Sequence, residues 1–202
     1  MKYFSDLNLI RYYTECIDDA SQQQPEIRAL PTDSIADEGD VTPESFATIA
    51  EYFRIALLTG ILQPDEIRRW ADQLIAELPE APGELVEISW SKDLPMLMNA
   101  LESIQGERDK KLAGKCLLGL VRENLPKSAL MEAAAQAMYI VQLADLGNEL
   151  YLKFDAVHEG LSLAYNGIVG TVGPYRAELV SLLAKFPSIC LSKMLPDTVK
   201  SR

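Results

Sequence analysis

The chain has 202 residues, about half of them apolar, with 30 acidic against 19 basic side chains and a formal net charge of −11. A chain of that length makes one domain or two small ones and buries roughly 70% of its unfolded surface. The charge is uneven: through residue 83 six cations stand against sixteen acids, net −10, while the remainder is nearly neutral at −1. That balance argues against a nucleic-acid ligand, since duplex binding needs clustered cations to displace counterions. It favours a basic partner, whose approach the acids would accelerate.

Three cysteines, Cys16, Cys116 and Cys190, are odd in number and far apart, a pattern of core thiols in a reducing cytosol rather than of a disulfide framework. The opening MKYFSDLNLIRYY has neither an uninterrupted apolar core nor a small-residue cleavage site, so no secretory signal is expected. The most apolar runs, residues 133–144 and 161–173, fall short of the roughly 20 residues a bilayer requires. The expectation is a soluble, cytoplasmic protein with no membrane partner.

The spacing predicts a first helix over residues 5–22, capped by Ser5 and carrying Leu9, Tyr12, Tyr13, Cys16 and Ile17 on one face. An acidic, polar connection over 23–42 follows, long for an unstructured loop in a compact domain. It concentrates Asp33, Asp37, Glu38 and Asp40, without the alternation, central glycine and closing glutamate of a calcium-binding EF-hand loop.

The stretch from Thr42 to Pro79 has the grammar of two amphipathic helices. Thr42, Pro43 and Glu44 form a capped start with a negative charge at the positive end of the helix dipole. Phe46, Ile49, Ala50, Phe53 and Leu57 give one buried face, and Gly60 a left-handed stop. Pro64, Asp65 and Glu66 start the second helix, with Ile67, Trp70, Ala71, Leu74 and Leu78 as its stripe. Two stripes joined so closely are expected to pack antiparallel against each other.

Downstream, residues 85–90 with Leu85, Val86, Ile88 and Trp90 alternate in part, and an extended or irregular segment is expected there. A helix beginning near Pro95 carries Met96, Leu97, Ala100, Leu101 and Ile104 and stops at Gly106. A more basic helix over 107–124 buries Leu112, Cys116, Leu120 and Val121 and turns Lys110, Lys111, Lys115 and Arg122 to solvent. The Ala-rich stretch 128–146 is apolar around most of its circumference and belongs at the centre of a bundle. Gly147 ends it, Asn148 caps a helix to about Tyr165, and the glycine-rich NGIVGTVGP precedes a last helix from about Tyr175 to Lys185. Residues 196–202 are expected to fray. The fold class is therefore all-α, a single compact bundle-like domain of about seven or eight helices over 1–202.

Catalytic chemistry has little to work with. His158 is the only histidine, so any Ser-His-Asp or Cys-His site would have to use it. Asp155 lies three residues before it, but a di-iron bundle needs an acid-x-x-His motif from each of two helices. A half-buried side chain hydrogen-bonded to Asp155 or to backbone is the expected role. Gly167, Gly170 and Gly173 match neither the dinucleotide fingerprint nor the phosphate-binding loop with its lysine. No cofactor or metal is expected, and no catalytic residue is assigned.

One resemblance adds to this. Leu57-Leu58-Thr59-Gly60-Ile61-Leu62, then Ile67, Trp70-Ala71-Asp72 and Leu74-Ile75, followed by Pro79, Pro82, Leu85, Val86 and Ile88, resembles a segment of small bacterial immunity-type proteins. The resemblance implies a cytoplasmic, acidic, non-enzymatic protein that neutralises a cognate toxin by binding it, and it covers only this helical segment. The leading expectation is a binding protein whose acidic surface, formed by Asp33, Asp37, Glu38, Asp40, Glu44 and Glu51, engages a basic protein such as a toxin effector. The alternative is a helical enzyme or small-ligand sensor with a pocket lined by Tyr139, Asp155, His158 and Tyr165. A homodimeric scaffold is a third reading, suggested by the abundance of apolar helical surface.

Overall fold

Every regular element among the described residues is helical. The computed structural model describes residues 45–126 and 129–187, all within one compact unit, Glu38–Arg202. Eight helices follow in order: α1 (Phe46–Leu58), α2 (Pro64–Glu77), α3 (Gly83–Trp90), α4 (Leu94–Ser103), α5 (Lys110–Asn124), α6 (Leu130–Leu143), α7 (Asn148–Tyr165) and α8 (Val172–Leu183). The all-α class is as the periodicity predicts. The helix expected over 5–22, the connection 23–42, the cap at Thr42 and the tail 196–202 lie outside the described residues.

The centre is made by α1 and α5. In α1 the residues Ala47 to Phe53, with Ile55 and Ala56, are all buried, so burial runs around the helix rather than along one stripe. In α5, Ala113, Gly114 and Cys116 to Val121 are buried likewise. These two helices pack on each other, α4 covers α1, and α6 and α8 cover α5. The Ala-rich α6 is enclosed, as its apolar circumference predicts. It lies between α5 and α7, burying Ala133, Ala134, Ala137, Met138, Ile140 and Val141 while Glu132 and Gln142 face out. Its alanines let α5 and α7 approach closely from the two sides.

The hairpin expected of α1 and α2 forms only in part. Gly60 takes φ +69°, as a left-handed stop requires. Gln63 and Glu66 form a reciprocal cap at the start of α2, with Pro64 in its first turn. Phe53 and Trp70 then meet edge-to-face at 4.7 Å. Yet the main partner of α2 is α3, not α1. That pairing is possible because residues 85–90, expected to be extended, are helical: α3 buries Leu85 and Ile88, three apart, against α2. The short alternation of apolar residues there matches a single helical edge as well as a strand, and no strand among the described residues is present to pair with it. Ser89 donates to Asp72, and Arg68 Nε donates to Ser91 Oγ at 3.4 Å, closing α3 onto α2.

Two further starts differ from expectation. The basic helix begins at Lys110, because Asp109 accepts from the Leu112 amide at 2.8 Å and caps it. Asn148 is the first residue of α7 rather than its cap; Gly147, at φ +100°, occupies that place. Small residues set the closest approaches. A Cβ on Gly114 would lie within 2.3 Å of the Ala144 Cβ, and one on Gly160 within 2.1 Å of the Tyr175 ring.

Gly114→Ala is expected to lower stability by about 2 kcal/mol, because Ala144 Cβ is fixed to its backbone and α5 must move away from the end of α6. Gly173→Ala, in α8 with nothing within 4 Å of the added Cβ, is expected to be neutral or to stabilise by up to about 1 kcal/mol. Urea denaturation of both variants measures the contrast, and equal losses would contradict the close approach at Gly114.

Candidate functional site

The most concentrated polar chemistry lies inside the fold, where α1, the end of α4 and the start of α5 meet. Glu51 is buried with only 2% of its side chain exposed. Arg54, one turn on, donates from Nε to Oε2 at 2.9 Å and from Nη2 to Oε1 at 2.7 Å, a two-pronged pair. Arg108 adds a third donation, from Nη1 to Oε2 at 3.2 Å. Its Nη2 donates to the carbonyls of Leu101, Glu102 and Ile104 at 2.9–3.0 Å, so the same guanidinium satisfies the open end of α4. Thr48 Oγ1 accepts from the Asp109 amide at 3.1 Å, tying the segment after Arg108 back to α1.

Burial by itself would push the Glu51 carboxyl up. The hydrogen bonds and charges of Arg54, the hydrogen bond of Arg108 and the charge of Lys110 overcome it, and the group titrates below the ordinary glutamate range. Glu51 was expected on an acidic docking surface. It is instead an interior anchor, because a carboxylate at a helical position flanked by Thr48, Tyr52 and Ile55 goes inward with the rest of α1. Asp33, Asp37, Glu38, Asp40 and Glu44 lie outside the described residues.

Beside this network an open depression of about 430 Å³ is lined by Glu107 to Lys111 and by Ala144 and Asp145. Asp145 takes φ +50° at the end of α6, where the Leu146 amide reaches the Val141 carbonyl at 3.0 Å and closes the helix. The depression mixes both signs of charge. Among the described residues no group of three or more His, Cys, Asp or Glu is placed to hold a metal ion.

The four residues of the expected small-ligand pocket are spread over two helices. Asp155 and His158 lie one turn apart on α7, both half-buried, Tyr165 is exposed at its end, and Tyr139 is half-buried on α6. Of the two partners expected for His158, Asp155 or backbone, Asp155 acts on it through charge and not through a hydrogen bond. Burial holds the His158 imidazole below its ordinary value, and the Asp155 carboxylate only partly offsets it. Cys116 is fully buried and its thiol is pushed up to about 12, chiefly by burial, which makes it a core side chain with no thiolate to offer. No described helix is long and apolar enough to cross a membrane.

Residue spacing did not single out Arg108. Its signal is faint: in sequence Arg108 is one of several cations at the start of the basic stretch, and only the end of α4 at Ser103 leaves it beside carbonyls that need donors.

Glu51→Gln is expected to destabilise by about 3 kcal/mol, leaving two guanidinium groups short of their anion. The folded carboxyl titrates below the ordinary value of 4.5, so its stabilisation is complete above that pH and is lost as pH falls through the folded value. Melting curves from neutral to acid pH should show that limb in the wild type and a flatter one in the variant. Arg108→Ala should be more harmful than Arg54→Ala, since it also strips three carbonyls of their donor.

A ring proton of the single histidine gives an isolated NMR titration. Its midpoint is expected below 6.5, and Asp155→Asn should move it lower still. Stability attached to this group is full above pH 6.5 and declines as pH falls through the folded value. A midpoint at or above 6.5 would contradict the burial of the ring.

Comparison with protein-family models, with curated protein sequences and with solved structures finds no match to this chain.

Proposed function

We propose that this chain is a non-enzymatic binding protein whose acidic surface engages a basic protein partner, in the manner of an immunity protein that neutralises a toxin. The observation that carries the proposal is the charge: net −10 through residue 83 and −1 beyond it. A surface so biased raises the encounter rate with a cationic protein and repels nucleic acid and anionic lipid alike. The acids of the connection, Asp33, Asp37, Glu38 and Asp40, together with Glu44 just after it, are the proposed long-range steering charges; Glu51 is not among them, being enclosed by Arg54 and Arg108. Resemblance of the segment from Leu57 to Ile88 to immunity-type proteins supports a toxin as the partner. The interior chemistry supports the non-enzymatic part: Glu51 is neutralised by two arginines and Cys116 is held as a thiol.

The test has two steps. Proteins captured from the host lysate at low salt and released at high salt are identified, and the basic candidate is purified. Its association rate with wild type is then compared with that of Asp37→Lys/Glu38→Lys/Asp40→Lys. The expected outcome is an association rate that falls at least about tenfold in the variant and falls with salt in the wild type, with little change in dissociation. An association rate indifferent to both would reject charge steering.

A further inference from the structure

The acidity of the described residues is not spread over the fold. Residues 64–96, which form α2, α3 and the start of α4, carry eight acids against three cations, net −5. Residues 97–187 carry ten against nine. Arg68, one of the three cations, is already engaged by Asp65 at 2.6 Å.

The same stretch carries an anomalous aromatic residue. Tryptophan is largely buried in most folds, as Trp70 is at 4% exposure, yet Trp90 is 76% exposed. Leu94 and Met96, just across the α3–α4 turn, are 44% and 48% exposed. Of the apolar residues that α4 carries, Leu97 and Leu101 are buried and Met96 is turned out. Exposed carboxylates lie close to Trp90 in the chain or are bonded to its neighbour: Glu84 and Glu87 on α3, Asp93 in the turn, where it accepts from the Met96 amide and caps α4, and Asp72, bonded to Ser89.

We propose that this face of α2, α3 and α4 is a docking surface for a lysine- and arginine-rich amphipathic segment of a protein partner, with Trp90 at its centre. The chemistry selects that occupant. Cationic side chains are drawn to the carboxylates and stack over an exposed indole, while apolar side chains of the same segment cover Leu94 and Met96. Phosphate-bearing partners, whether nucleic acid or anionic lipid, are repelled by the same carboxylates. The inference rests on the acidic-surface reading and moves the close contact from the connection before α1 onto a defined helical face. The connection would steer, and this face would hold.

Trp90 supplies the reporter, because Trp70 is shielded from a soluble quencher. Acrylamide quenching of the full-length chain is measured with a synthetic helical peptide of leucine and lysine, and with its leucine and glutamate counterpart. Trp90→Ala should abolish the quenchable component, which assigns it. The lysine peptide is expected to shield Trp90, and the glutamate peptide to leave it open. Glu84→Lys/Glu87→Lys should weaken the lysine peptide about tenfold, and raised salt should weaken it too. Glu159→Lys/Glu178→Lys, the same charge change at exposed positions on α7 and α8, should alter it less than about twofold.

Equal shielding by both peptides, equal loss from both reversals, or no shielding at all would overturn the proposal. If Asp37→Lys/Glu38→Lys/Asp40→Lys abolishes binding and Glu84→Lys/Glu87→Lys does not, the acidic-surface reading stands and this docking face falls. If no reversal matters, both fall.

Discussion

The described fold depends on one buried carboxylate and the two guanidinium groups that hold it. Glu51 sits in the most enclosed helix of the structure, where an unpaired charge would be untenable. Arg54 neutralises it from within α1 and Arg108 from outside. Because Arg108 also satisfies three carbonyls at the end of α4, the pair fixes where α4 ends, where α5 starts and how both meet α1. A hydrophobic residue in place of Glu51 would pack α1 but give the segment between α4 and α5 nothing to close upon. The pair offsets the burial of the carboxylate, which is why the group titrates below its ordinary range.

Around that anchor the approach of helices is set by what is missing from side chains. Gly114 lets the end of α6 meet α5, and Gly160 makes room for the Tyr175 ring against α7. Arg122 repeats the device of Arg108 at the other end of α5, donating to the Ala184 carbonyl at the end of α8 at 3.3 Å. Interior polarity is thus spent on closing helix ends, where donors and acceptors lack partners. Among the described residues the excess acidity falls on α2 and α3, which lie in the chain between Arg54 and Arg108 and pack chiefly on each other.

Much of the fold was legible in the residues. Helical stripes in α2, α4 and α5, the stops at Gly60 and Gly147, and the core assignment of Cys116 all follow from spacing and backbone freedom. Less legible were α3, whose four apolar residues in six positions fit more than one period, and the partner of α2. Loop length indicates that neighbouring helices turn back, but not which one offers the complementary surface; α3 did, through Leu85, Ile88 and the bond from Ser89. The site was less legible still. Glu51 looks like any exposed acid in sequence, and Arg108 like any loop cation, since their meaning lies in a contact across 57 positions of chain.

What the sequence by itself determined is local or additive: helical periodicity, helix punctuation, the uneven charge and the poverty of catalytic side chains. Each depends on residues near one another in the chain or on a simple sum. Tertiary structure alone decided which helix is central, which carboxylate is interior and which tryptophan faces water. Those are matters of what packs against what: Trp70 meets Phe53 and is 4% exposed, while Trp90, the last residue of α3, is 76% exposed.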